Sequence, residues 1–186
     1  MDDRPVAVVS GTVGACNGAV VDDLSARFAV WLACHDDFDP RQAVALGVPS
    51  SRCWWIDDAD QDKRPAELAH VRAFVHCVHT AVDLSASDTP RRHWVDVFDR
   101  DLFTVAAVTR RLLPQLRLER GHVIIRYPDS PARSVAGQAS EAALRTFAAA
   151  LRDEERAGGI RVTEIDPRAQ GTGPSWREFL AETARH

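Results

Sequence analysis

Hydrophobic and polar positions follow two rhythms along this chain. Short apolar runs, rich in β-branched or aromatic residues, fall at residues 5–9, 28–34, 53–56, 73–79, 122–127 and 160–165. Their length and their flanking turn residues predict buried strands. Longer stretches between them carry helical spacing, at 19–27, 66–72, 92–116, 134–155 and 176–184, with a reduced helix within 40–51. The clearest helix stacks Ala139, Ala142, Ala143, Phe147, Ala150 and Leu151 on one side and ends in the polar run 153–156 and Gly158-Gly159. A glycine pair of this kind stops helices because it tolerates the left-handed backbone of a C-terminal cap. The strand 160–165 follows, and Pro167 closes it.

Strands alternating with helices predict an α/β, three-layer, doubly wound parallel sheet of about six strands in the order 3-2-1-4-5-6. With 186 residues the chain is long enough for one substantial core and short for two, so residues 1–186 are read as a single domain. No internal repeat or linker interrupts it.

Composition narrows the function classes. The net charge is −4 and basic residues are spread along the chain, so nucleic acid is not an expected partner. No apolar run approaches the roughly 20 residues needed to span a bilayer. The N-terminus enters a strand directly, without the basic-then-apolar form of a signal peptide, and a cytoplasmic location is expected. Cys16, Cys34, Cys53 and Cys77 form no C-x-x-C pair and read as buried free thiols. The chain has one tyrosine, Tyr127, and one lysine, Lys63, so no helical Y-x-x-x-K pair exists in it.

Candidate chemistry begins where the first strand runs into Ser10-Gly11-Thr12-Val13-Gly14-Ala15-Cys16-Asn17-Gly18 and then a helix. A strand, a glycine-rich turn and a helix N-terminus can receive a pyrophosphate, which makes Ser10, Gly11, Gly14 and Gly18 candidate cofactor contacts; a purely structural turn is the alternative. Past the second strand, Asp36 is the candidate for a ribose hydroxyl, against a solvated acidic turn. His70, His76, Cys77 and His79 suggest metal ligands by type. Strand alternation sends His76 and Cys77 to opposite faces, so no metal site is predicted and hydrogen-bonded histidines are expected.

Ser10-Gly11, Asp57 within Asp57-Asp58-Ala59-Asp60, Trp94, Leu102, Gly121, Ile160-Arg161-Val162 and Pro167 together resemble the short-chain dehydrogenase/reductase family. The resemblance covers nearly the whole chain in order of elements and implies a Rossmann-like fold, an NAD(P) site to which Asp57 contributes an adenine contact, and association through two long helices. It also implies a catalytic tyrosine, lysine, serine and asparagine. The matching positions here hold Gly137, Glu141, Pro128 and Asp101, with Ser130 just beyond Pro128. At the positions of the family's N-N-A-G motif stand His76, Cys77, Val78 and His79, none of them identical, and the family's substrate-covering segment after Pro167 is short.

Glycine has no side-chain proton to give, and a glutamate in the lysine position raises a neighbouring phenol's pKa where catalysis needs it lowered. Hydride transfer of the usual kind is therefore not expected. The leading expectation is a non-redox binding or partner subunit, as a homodimer or a heterodimer with a relative, joined through a small-residue face of Ala139, Ala143, Ala148 and Ala150. The alternative is altered or non-redox chemistry in the same cleft, with Asp101 and Glu141 as a carboxylate pair and Tyr127 or His79 as an acid. Asp101 and Glu141 as exposed helix-surface acids is the reading preferred over that pair. NAD(P) binding, as a sensed or reacting ligand, stays open.

Overall fold

The computed structural model describes residues 4–11, 15–34, 38–56, 65–78, 84–169 and 176–183. Six parallel strands form one sheet in the order β3-β2-β1-β4-β5-β6, the predicted order. They are β1 (Val6–Gly11), β2 (Ala29–Cys34), β3 (Cys53–Trp55), β4 (Val71–Cys77), β5 (His122–Arg126) and β6 (Arg161–Ile165). The helices are α1 (Ala15–Ser25), α2 (Pro40–Ala45), α3 (Arg91–Phe98), α4 (Thr104–Leu118), α5 (Val135–Glu154) and α6 (Trp176–Thr183).

Side chains of a strand point alternately to two faces, and both faces are covered. On one face Val6, Val8, Phe74, Val123 and Ile125 meet Val105, Val108 and Leu112 of α4 and Leu144 and Ala148 of α5. On the other, Ala7, Val9, Leu32, Val75 and Ile124 meet Val20, Val21 and Leu24 of α1 and Phe179 of α6. The near-continuous apolar runs are thus the signature of strands with no solvent side.

Two predicted helices are corrected. Residues 66–72 read as helical, yet 66–69 are turns and Val71 already pairs with Val6 of β1. Val71 and Leu68 are buried at 0% exposure, and that burial together with the pairing to β1 outweighs the helical spacing. The long helix 92–116 is built in pieces: α3, a π-helical segment at Asp99–Phe103, then α4 with Pro114 inside it. Thr104 Oγ1 donates to the Asp99 carbonyl at 2.7 Å, an oxygen that also accepts from the Thr104 amide across the wider turn.

Helix α5 starts where its chemistry says it should. Ser134, in extended backbone, accepts from the Gly137 amide at 3.0 Å and so caps the N-terminus. At the other end of the domain α6 is tied down by Trp176 Nε1, which donates to Asp23 Oδ2 at 2.7 Å, and by Arg27, which donates to the Leu180 carbonyl. Beneath it His122 lies edge-on to Phe179, ring centroids 5.1 Å apart, with Nε2 2.6 Å from Thr163 Oγ1. Among the described residues no helix is long and apolar enough to cross a membrane.

Gly11 ends β1 with φ at +107°, and a Cβ there would stand 2.0 Å from the Cys77 carbonyl oxygen of β4. Gly11→Ala is therefore expected to cost on the order of 3 kcal/mol or to prevent folding; a urea midpoint within error of the parent would refute this contact.

Burial holds the His122 imidazole at about 3, well below its ordinary 6.5, and the Arg161 cation adds to the effect. The unfolded chain takes up a proton there that the folded chain refuses, so stability is full above about pH 6.5 and declines as pH falls toward 3. The expected loss is about 1.4 kcal/mol per pH unit inside that window. Urea unfolding of His122→Gln should show a correspondingly flatter acid limb than the parent.

Candidate functional site

In an open parallel sheet, ligands settle beyond the carboxyl ends of the strands at the point where strand order reverses, here between β1 and β4. Ser10 and His76 are register partners at that point. His76 Nδ1 lies 2.8 Å from Ser10 Oγ, in a hydrogen bond whose direction follows the ring tautomer. On the other side of the ring, Nε2 stands 3.9 Å from Asp101 Oδ1, and Ser140 of α5 donates to Asp101 Oδ2 at 2.9 Å. Ser10, His76, Asp101 and Ser140 are all buried, at 0–2% exposure. A polar chain thus runs from the end of β1 through β4 to the π-helical segment and α5, filling space that apolar side chains occupy lower in the sheet.

A second cluster lies at the ends of β5 and β6. The Tyr127 hydroxyl donates to Glu164 Oε1 at 3.0 Å, and the Arg145 guanidinium lies over its ring, 4.1 Å from the centroid. Arg145 also reaches Asp166 at 2.5 Å, and Arg152 reaches Glu164 at 3.3 Å. Arg168 bonds Asp166 at 2.7 Å and Glu141 at 2.9 Å, and Glu141 further accepts from the Ala132 amide at 3.3 Å. Arginine fits such a site because its planar fork can serve two carboxylates at once. Hydrogen bonds from Arg168 hold Asp166 far below the usual carboxylate range, and Asp166 and Glu141 in turn raise the Arg168 guanidinium. Tyr127 goes the opposite way: burial first, then the Glu164 charge and its hydrogen bond, push the phenol well above its ordinary value.

The three candidate catalytic residues are divided between the two clusters: Asp101 lies in the first, and Tyr127 and Glu141 share the second, where Arg168 bonds Glu141 and stands 5.7 Å from the Tyr127 ring centroid. Asp101 is committed to Ser140 and the His76 ring, Tyr127 to Glu164 and Arg145, Glu141 to Arg168. The reading of Asp101 and Glu141 as exposed surface acids is corrected as well: Asp101 is 1% exposed and the Glu141 side chain 13%. The cause lies in the fold, since the π-helical segment turns Asp101 inward and the chain beyond β6 lays Arg168 over Glu141. Gly137 is buried in the first turn of α5, its amide used by the cap. Pro128 is buried and Ser130 exposed.

Of the candidate cofactor contacts, Gly14, Asp36 and Asp57 lie outside the described residues, as does His79. Ser10 and Gly11 stand at the switch point. A Cβ on Gly18 would make only an ordinary contact, 3.7 Å from Leu46, so no crowding demands glycine there. Among the described residues no three His, Cys, Asp or Glu side chains group as metal ligands. Cys77 is buried among apolar neighbours, its thiol pushed up to about 12. Sequence reasoning missed Ser140, Arg145 and Arg168. Arg168 had a visible signal in the charged pair Asp166–Arg168 around the strand-ending proline.

No family model matches the sequence and no curated protein matches it. Solved structures do. A short-chain dehydrogenase/reductase described as putative, from Corynebacterium glutamicum, is 26% identical, with a TM-score of 0.62 over 97% of this chain and 90% of that one. An oxidoreductase of the same family from Brucella ovis, in complex with a partially ordered NAD, is 20% identical, with a TM-score of 0.70 over 98% of this chain and 91% of that one. A short-chain dehydrogenase from Streptomyces avermitilis is 21% identical, with a TM-score of 0.68 over 98% and 83%. The likeness is to short-chain dehydrogenases/reductases throughout, and the short length is shared with the first two.

Because Tyr127 is the chain's one tyrosine, its ionisation can be read without interference. The near-ultraviolet tyrosinate band of the folded protein should appear only at higher pH than in the urea-unfolded chain, which should titrate at about 10. A folded-state midpoint at or below 10 would contradict the Glu164 hydrogen bond.

Proposed function

We propose that this short-chain dehydrogenase/reductase-like chain is a non-redox partner subunit that pairs with a second copy of itself through α3, α4 and α5. The observation that carries the reading is the state of the catalytic positions the resemblance assigns. The tyrosine place holds a glycine whose amide donates to the helix-capping Ser134, and the lysine place holds a glutamate engaged by Arg168. The only phenol is tied to a carboxylate and held protonated. A hydride-transfer site needs an acid with a pKa near the working pH, and this arrangement moves the group away from it.

The helix pair supports assembly. Val95, Phe103 and Val135 are exposed at 45%, 55% and 42%, and α5 presents Ala142, Ala149 and Ala150 to solvent with Ala139 and Ala143 half-buried. Ala148 does not belong to this face: it is 0% exposed in the core, on the opposite side of α5. Small residues with a few large apolar neighbours let two helices approach closely.

A second reading, chemistry other than hydride transfer in the same cleft, is favoured by the buried Ser10–His76–Asp101 chain. It has a serine, an imidazole and a carboxylate in the order that general-base chemistry uses.

Native mass spectrometry should find a dimer, and Ala142→Glu and Phe103→Asp should each return a folded monomer. A strict monomer, alone and when mixed with an active relative, would sink the partner-subunit reading; a dimer only in the mixture would make it a heterodimer. Calorimetric titration with NADH and NADPH should give no saturable heat, and saturable binding would instead support a role in which the nicotinamide cofactor is sensed or takes part in oxidoreduction.

A further inference from the structure

The sheet has a second end. At the amino-terminal edge, opposite the Ser10–His76 cluster, lies an open cleft of about 880 Å³. Its floor is apolar: Val6, Ala29 and Trp31, from the starts of β1 and β2 on the face shared with α4 and α5. The space exists beside the connection between β3 and β4, where turns at 66–69 stand in the place of the expected helix. Pockets that hold drug-sized molecules run to roughly 300–1,000 Å³, with an apolar lining and a few placed polar groups, and this cleft falls in that range.

Its rim is cationic. Arg4, Arg52 and Arg72 border it, with Glu67 and Glu119 as the acids. Glu119 is engaged at once by His70 Nδ1 at 2.9 Å and by Arg72 at 3.3 Å, and those contacts hold its carboxyl below its ordinary range. A smaller cleft of about 300 Å³ shares the Arg72–Glu119 pair and adds Arg120 and Arg161. Arg4, Arg52, Arg72, Arg120 and Arg161 thus border the two clefts at this end of the sheet. Guanidinium groups recognise planar oxyanions by paired N–H donors, and an indole floor takes a flat ring.

We propose that this amino-terminal cleft binds an aromatic oxyanion, its ring against the Val6–Ala29–Trp31 floor and its carboxylate or phosphate toward the Arg4 and Arg52 rim. This site is independent of the carboxyl-end cleft and of the partner-subunit reading.

Calorimetry on the full chain with naphthoate, naphthyl phosphate and the neutral naphthalenemethanol tests it. At least one anion is expected to saturate and to bind about tenfold tighter than the alcohol. The tighter anion identifies the head group. Arg52→Gln should lower anion affinity about tenfold and leave the alcohol's unchanged. Ala66→Trp, at an exposed turn position in the cleft wall, should abolish binding of both while leaving the thermal midpoint unchanged. The proposal is overturned if neither anion saturates at millimolar concentration or if alcohol and anions bind alike. It is equally overturned if Ala66→Trp binds as the parent does.

Discussion

Strands β1 and β4 join the two halves of the sheet, and their pairing ends in a contact that leaves no room for a side chain: the Gly11 α-carbon beside the Cys77 carbonyl. One residue earlier the same register sets Ser10 against His76, and the polar chain to Asp101 and Ser140 starts there. Both features follow from one strand pairing. The glycine often assigned to phosphate approach is required here by the sheet itself, whatever occupies the cleft above it.

The carboxyl ends of β5 and β6 are organised by charge. Glu141, Glu164 and Asp166 face Arg145, Arg152 and Arg168, so each carboxylate has a guanidinium and the phenol of Tyr127 takes one remaining acceptor. Such a cluster is worth little as a count of surface pairs, but removing one partner leaves a half-buried charge unanswered. It fixes the segment after Pro167 against α5 over the position where the resemblance places a catalytic lysine.

Much of the fold could be read from the sequence because two-sided burial writes itself as continuous apolar runs, and alternation with helices permits few topologies. What escaped reading was decided over distance. Residues 66–72 carry helix-forming types, yet strand pairing with Val6 overrode them. Asp101 and Glu141 were identified as candidates, but their burial depends on Ser140 and on Arg168, which sequence spacing does not connect to them. The Ser10–His76 contact depends on register between strands separated by the whole β2–β3 unit, and no local pattern announces it.

The outer margin of the sheet has its own consequence. Along β6 the odd-numbered residues face β5, as Arg161 donating to the Gly121 carbonyl and Ile165 accepting from the Tyr127 amide show, which leaves the peptide groups of Val162 and Glu164 on the open side. Arg152 reaches over from α5 and donates to the Val162 carbonyl at 3.1 Å. At the far margin β3 is three residues long. An unprotected edge invites another chain to add a strand, and a short edge or a capped one with charged side chains discourages it. A guanidinium on one margin and a three-residue strand on the other thus both discourage growth in the plane of the sheet.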